Sequence, residues 1–124
     1  MALKSFADVQ AFFNNFIKQN GIDLSGSYHF AFWNTTYDNF VTGNVPGVVD
    51  PNTNLPIPVL TKGDGAHSNI IYALRGTPGT LWDPNNPAGF GQMPFNGPYF
   101  SAAQIQELSD WITAGCPQFP AATA

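Results

Sequence analysis

The chain has 124 residues, which is enough for one domain with its own hydrophobic core. Only 10% of its residues are charged, against about a quarter in typical globular proteins, and the net charge is −4. The scattered cations are too few for a basic patch, which excludes the usual nucleic-acid surface and an anionic membrane surface. We expect a single domain over residues 1–120 and a frayed tail at 121–124.

The chain is rich in aromatic residues, with 11 Phe, 4 Tyr and 3 Trp, which disfavours disorder. No apolar run approaches the roughly 18 residues of a membrane-spanning helix, so we expect no membrane insertion. Cys116 is the only cysteine, which excludes an intrachain disulfide and favours a reducing, cytoplasmic compartment. The first 16 residues do not have the pattern of a signal peptide.

Hydrophobic residues at helical spacing, preceded by caps and followed by glycines, predict four helices. The first covers about 6–20 after Ser5, and the second is a short helix that Thr35 or Thr36 opens and Gly43 ends. The third covers about 66–75. The fourth begins after Ser101, with Gln104 completing a capping box, and stops at Gly115.

Proline, glycine and asparagine punctuate the rest of the chain. Residues 45–49 and 57–60 are predicted to pair as a small hairpin across the turn at 50–54. Residues 77–99 are expected to form one long loop, and loops of that length in compact domains usually serve a function. The predicted class is therefore mostly α, with about four helices, a small β ribbon and a long Gly/Pro/Asn-rich loop.

The second half of the chain contains its most distinctive motifs. They are Gly63-Asp64 followed by Ser68, then Met93-Pro94-Phe95-Asn96-Gly97-Pro98 leading to Ser101, and finally Trp111-Ile112 followed by Gly115-Cys116-Pro117. This order resembles the C-terminal half of bacterial cytochrome c domains. Over residues 28–118 the chain is similar to cytochrome-c-like segments that accompany some bacterial tyrosinase-like, type-3 copper proteins. The resemblance implies a cytochrome-c-like helical bundle.

One departure from that family changes the expected chemistry. Covalent haem attachment needs two cysteines spaced C-x-x-C and a following histidine, and residues 16–24, where the motif belongs, contain neither type. Met93 stands at the position of the family's axial methionine. The volume of the missing haem is expected either to be filled by aromatic side chains or to remain an open cleft. The residues expected to line such a cleft are Phe16, Trp33, Met93 and Pro94.

Two segments combine aromatic rings with amide and acidic groups, the mixture that sugar recognition needs. The first, the Trp82 loop, contains Trp82, Asp83, Asn85, Asn86 and Gln92. The second, the Trp33 segment, contains Tyr28, His29, Trp33, Asn34 and Asn39. The alternative is that both tryptophans fill the core or anchor loops, and that the asparagines serve turns.

A metal interpretation uses His29, His67 and Met93, a ligand set that suits copper or a non-covalent haem. The alternative is that His29 orders an aromatic loop and His67 caps a helix. No nucleophile motif surrounds any serine. We therefore predict a non-catalytic, cofactor-free binding module for a glycan or protein partner. The alternatives are a redox module with haem or copper and an accessory domain of a type-3 copper enzyme. The aromatic, neutral surface is also compatible with a homo-oligomer.

Overall fold

The computed structural model describes residues 3–22, 31–87, 89–94 and 97–120. Within these ranges the chain forms four α-helices and one two-stranded antiparallel sheet, which confirms the mostly α class. The elements are α1 (Phe6–Gln19), α2 (Tyr37–Thr42), β1 (Asn44–Val49), β2 (Pro56–Pro58), a 3₁₀ turn (Gly65–His67), α3 (Asn69–Arg75) and α4 (Ala102–Thr113). No helix in the described ranges has the length and apolar character needed to span a bilayer.

The two long helices begin at the predicted caps. At α1 the Ser5 hydroxyl accepts a hydrogen bond from the Asp8 backbone N–H at 3.1 Å. At α4 the Ser101 hydroxyl accepts from the Gln104 N–H at 3.1 Å, and the Gln104 side chain accepts from the Ser101 N–H at 2.8 Å. These bonds satisfy N–H groups that have no partner inside the helix, so each helix start is encoded locally.

The third helix is shorter than predicted. Residues 65–67 form a separate 3₁₀ turn, and α3 begins only at Asn69. Ser68 separates them because its backbone is extended and its buried hydroxyl accepts from the Thr61 N–H at 2.9 Å and donates to the Asp64 carbonyl at 2.8 Å. Hydrogen bonds between one serine and residues four and seven positions earlier therefore break what the hydrophobic spacing predicts as one helix.

The hairpin forms, but its second strand lies one residue earlier than predicted and ends at Pro58. Asn44 pairs with Pro58 and Val49 with Pro56, with an irregularity between the two pairs. Val59 leaves the sheet to join the helices, since its carbonyl accepts from the Ile70 N–H at 2.9 Å and its side chain is buried. The hairpin is thereby fixed to the start of α3.

The core lies between α1, α3 and α4 and is dominated by aromatic and branched side chains. Its largest fully buried members include Trp111, Phe40, Ile71, Leu108 and Ile112. The two ends of the described chain meet, because the Phe6 N–H donates to the Gln118 carbonyl at 3.1 Å. Gly65 allows the 3₁₀ turn to approach α4 closely, since a Cβ there would collide with the backbone carbonyl and hydroxyl of Ser109.

Candidate functional site

The Trp82 loop directs its polar groups toward its own backbone. The Asp83 carboxylate accepts from the Asn85 N–H at 2.9 Å and from the Gly79 N–H at 3.0 Å. These two hydrogen bonds hold the pKa of Asp83 below its usual value, and the bond from Asn85 has the larger effect. The carboxylate therefore acts as a brace for the turn.

The remaining groups of this loop are also engaged or buried. Asn86 donates to the Thr80 carbonyl at 3.3 Å, and Gln92 donates to the Leu74 carbonyl at 3.1 Å. Trp82 is only 7% exposed, so its ring offers no open face for a sugar to stack on. Asn85 is exposed. The burial of the ring and the internal bonds fit the alternative interpretation, in which Trp82 anchors the loop.

Trp33 is buried as well, at 4% exposure. Its ring stacks on Phe13 with centroids 4.8 Å apart, and its indole N–H donates to the side-chain oxygen (Oδ1) of Asn14 at 2.8 Å. The Asn34 and Asn14 side chains exchange hydrogen bonds of 2.9 and 3.0 Å. Trp33 is thus a core residue that α1 holds in place. The other predicted members here, Tyr28 and His29, lie outside the described residues.

Only part of the metal interpretation falls within the described residues. His67 is exposed, and its Nδ1 lies 2.9 Å from both carboxylate oxygens of Asp64. The predicted role of His67 as a helix cap belongs instead to Asp64, which accepts from the His67 N–H. The described ranges contain no group of three or more His, Cys, Asp or Glu side chains placed so that they could hold a metal ion. His29 lies outside them, so the three-ligand set with Met93 stays a prediction.

The space around two of the predicted cleft residues is packed with aromatic rings. Phe16 lies face to face with Phe100, with centroids 3.7 Å apart, and Trp33 stacks on Phe13. Phe16 and Trp33 are both buried. Aromatic rings therefore fill the space around Phe16 and Trp33.

An open groove of about 320 Å³ lies beside α2 and the first strand. Its described lining residues are Phe32, Thr35, Asn39, Gly43, Asn44, Pro46 and Val59. None of these lining residues is charged. Val59, which is buried, and the half-buried Phe32 provide apolar surface, while the threonine and the two asparagines provide polar groups.

Phe32, the aromatic residue of the groove lining, packs against two rings of the core. Phe32 stacks on Phe40, with centroids 6.1 Å apart and planes inclined by 12°, and meets the buried Trp33 edge to face at 5.4 Å. Phe40 is fully buried in the core. Ring pairs of this kind stabilise packing, so the Phe32 ring is held in a fixed position at the groove.

The polar rim is partly preorganised and retains hydrogen-bonding capacity. The Asn39 side-chain NH₂ donates to the Thr35 hydroxyl at 3.2 Å, and its backbone N–H donates to Thr36, the N-cap of α2, at 3.2 Å. The side-chain oxygen of Asn39 makes no hydrogen bond with the described residues. The side-chain amide of Asn44 also makes none with them. These groups are available to a ligand.

Sequence reasoning found only part of this groove. It placed Asn39 in the Trp33 segment but named none of the other described lining residues as a site, including Asn44, Pro46 and Val59. No local signal marks those three, because the turn between α2 and β1 and the return of β2 bring them together. The chain matches no protein-family model, no curated protein and no solved structure at a significant level.

Proposed function

We propose that this chain is a non-catalytic binding module that holds a neutral glycan, or an uncharged peptide of a protein partner, in the groove beside α2. One observation carries the proposal: a groove whose described lining is uncharged and combines a packed aromatic ring with amide and hydroxyl groups. Ligand sites generally combine mostly apolar lining with a few well-placed polar groups.

The absence of reactive groups from the described groove lining supports binding rather than catalysis. General acid–base or covalent chemistry needs a histidine, a carboxylate or an activated nucleophile within reach of the ligand. The lining hydroxyl belongs to Thr35, and its neighbour is the amide of Asn39, which is not a base. Burial raises the pKa of the Cys116 thiol to about 11, so this thiol is neutral and unreactive at neutral pH.

The cytochrome-c-like ancestry belongs to the same proposal. Its support is the chain order of helices and motifs, with Met93-Pro94 before the capped α4, and the aromatic packing of Phe16 against Phe100. On this proposal the aromatic rings replace haem in the interior, and binding has moved to the outer groove. Titration with haemin and with Cu(II) is then expected to give no saturable change in the visible spectrum.

The experiment is a titration of the isotope-labelled chain with neutral saccharides and uncharged, proline-rich peptides, followed through amide NMR shifts. We expect saturable shifts at Thr35, Asn39 and Asn44. Asn44→Ala is expected to weaken binding by about three- to tenfold, the loss of one or two hydrogen bonds. The matched control is Asn52→Ala, an exposed asparagine at the hairpin turn, which should bind normally. Shifts confined to the Trp82 loop, or none at all, would contradict the proposal.

A further inference from the structure

Building on the proposed function, we infer that the groove selects a neutral saccharide, with Phe32 as the stacking wall and Asn39 and Asn44 as the residues that read hydroxyl groups. The size of the groove limits the ligand first. At about 320 Å³ it lies at the lower end of ligand sites, which run from roughly 300 to 1,000 Å³. A ligand of about one or two sugar rings matches that size better than a long chain does.

The rim chemistry matches hydroxyl groups. Each sugar hydroxyl donates one hydrogen bond and accepts others, so a site that reads it needs both kinds of partner. The side-chain oxygen of Asn39 accepts, and the amide of Asn44 both donates and accepts. The Thr35 hydroxyl, already accepting from Asn39, keeps its own proton to donate. Donors and acceptors therefore stand on the same rim.

The electrostatics of the groove favour an uncharged sugar. A phosphate or sulfate group needs a cation or several converging N–H donors, and the described lining includes no Lys or Arg. Asp38, the exposed acidic residue next to Asn39 in the chain, adds a negative charge to the same short helix. An anionic saccharide would lose free energy through repulsion there.

The neighbouring sheet argues against a peptide that binds as an added strand. The six residues of β1 and the three of β2 include three prolines, Pro46, Pro56 and Pro58, so three of nine strand residues have no N–H to donate. Gly47 adds a left-handed backbone, with φ 71°, in the middle of β1. Strand addition depends on a regular row of backbone groups. These edges are blocked in the way that proteins use to prevent pairing.

The test is an NMR titration of the full chain with four kinds of probe. These are neutral methyl glycosides and disaccharides, their sulfated or phosphorylated counterparts, a proline-rich peptide, and buffer alone. We expect a saturable response to at least one neutral sugar at Thr35, Asn39 and Asn44, and a weaker response to its anionic form. Asn39→Ala and Asn44→Ala should each weaken the Kd by about three- to tenfold, whereas Asn52→Ala should not.

Phe32→Leu tests the stacking wall, since leucine keeps apolar bulk against Phe40 but has no ring face. We expect it to weaken sugar binding while amide spectra show an unchanged fold; if this variant does not fold, Asn44→Ala decides. A response of the groove to the peptide and to no sugar would overturn this inference and leave the proposed function standing. A response to sugars elsewhere on the chain, or to no probe, would overturn both.

Discussion

The rings of Phe16 and Phe100 lie face to face, with centroids 3.7 Å apart and planes inclined by only 17°. Phe16 belongs to α1, and Phe100 immediately precedes the cap of α4. Phe100 also contacts Phe12 at 5.0 Å and Phe13 at 5.7 Å, so one ring meets three phenylalanines of the same helix. This cluster joins the first and last helices of the chain.

Truncation of that ring is expected to cost more stability than truncation of an exposed one. Phe100→Ala should lower the free energy of unfolding by about 3–5 kcal/mol, because buried surface is lost and a cavity remains. Phe119→Ala removes the same side chain at a site that is 73% exposed, and should change stability by no more than about 0.5 kcal/mol. Urea unfolding followed by circular dichroism measures both. Equal losses in the free energy of unfolding for the two variants would show that the cluster does not stabilise the fold.

The bond between Asn14 and Trp33 gives a second prediction. Asn14→Ala leaves the buried indole N–H without its acceptor, which should cost about 1–3 kcal/mol. Asn15→Ala, at the next position of the same helix, is exposed and should be neutral or stabilising by up to about 0.5 kcal/mol, since alanine is the better helix former. Chemical denaturation with tryptophan fluorescence compares the two. If both variants unfold at the same urea concentration, the hydrogen bond contributes nothing measurable.

Burial of Cys116 makes stability fall in alkaline solution. Desolvation raises the pKa of its thiol from 9.0 to about 11 in the folded chain, with a smaller opposing effect of Lys62. Between these values the unfolded chain releases the thiol proton and the folded chain keeps it, so stability should decrease as pH rises from about 9 to about 11. Unfolding measured across this range should show a shallower decrease for Cys116→Ala.

The same burial predicts slow thiol chemistry. Iodoacetamide should modify Cys116 slowly in native buffer and rapidly in urea, because the thiol must be exposed and ionised to react. Equal rates in the two solutions would contradict the burial of this side chain.

Asp83 should control the order of the Trp82 loop locally. The lowered pKa of Asp83 means that its ionised form is favoured in the folded chain. The hydrogen bonds of the ionised carboxylate should hold the loop in place at pH values above the usual carboxyl pKa. These bonds should weaken as the pH falls through the lowered pKa. Asp83→Asn should speed hydrogen exchange at the Gly79 and Asn85 amides at neutral pH. Asp50→Asn is the matched control, because Asp50 braces Asn52 at 2.8 Å in a different turn. Its effect should stay in the hairpin.

The sequence predicted those parts of the fold that depend on neighbours in the chain. Ser101 and Gln104 define the start of α4 by bonds that span three residues, so spacing alone locates it. The break at Ser68 was not predicted, because its hydroxyl bonds to Thr61, which lies seven residues earlier and outside any helical spacing. The preference for a longer helix was overridden by side-chain hydrogen bonds to the preceding turn.

The candidate site, like the fold, could be predicted from the sequence only in part. Composition by itself determined that charged residues are scarce, so the proposed recognition relies on rings and amides. It did not reveal that Trp33 and Trp82 face inward, since burial depends on what packs over a ring. Only the tertiary structure brought Phe32, Asn44 and Val59 to one groove, because a turn and a returning strand placed together residues that no local pattern connects.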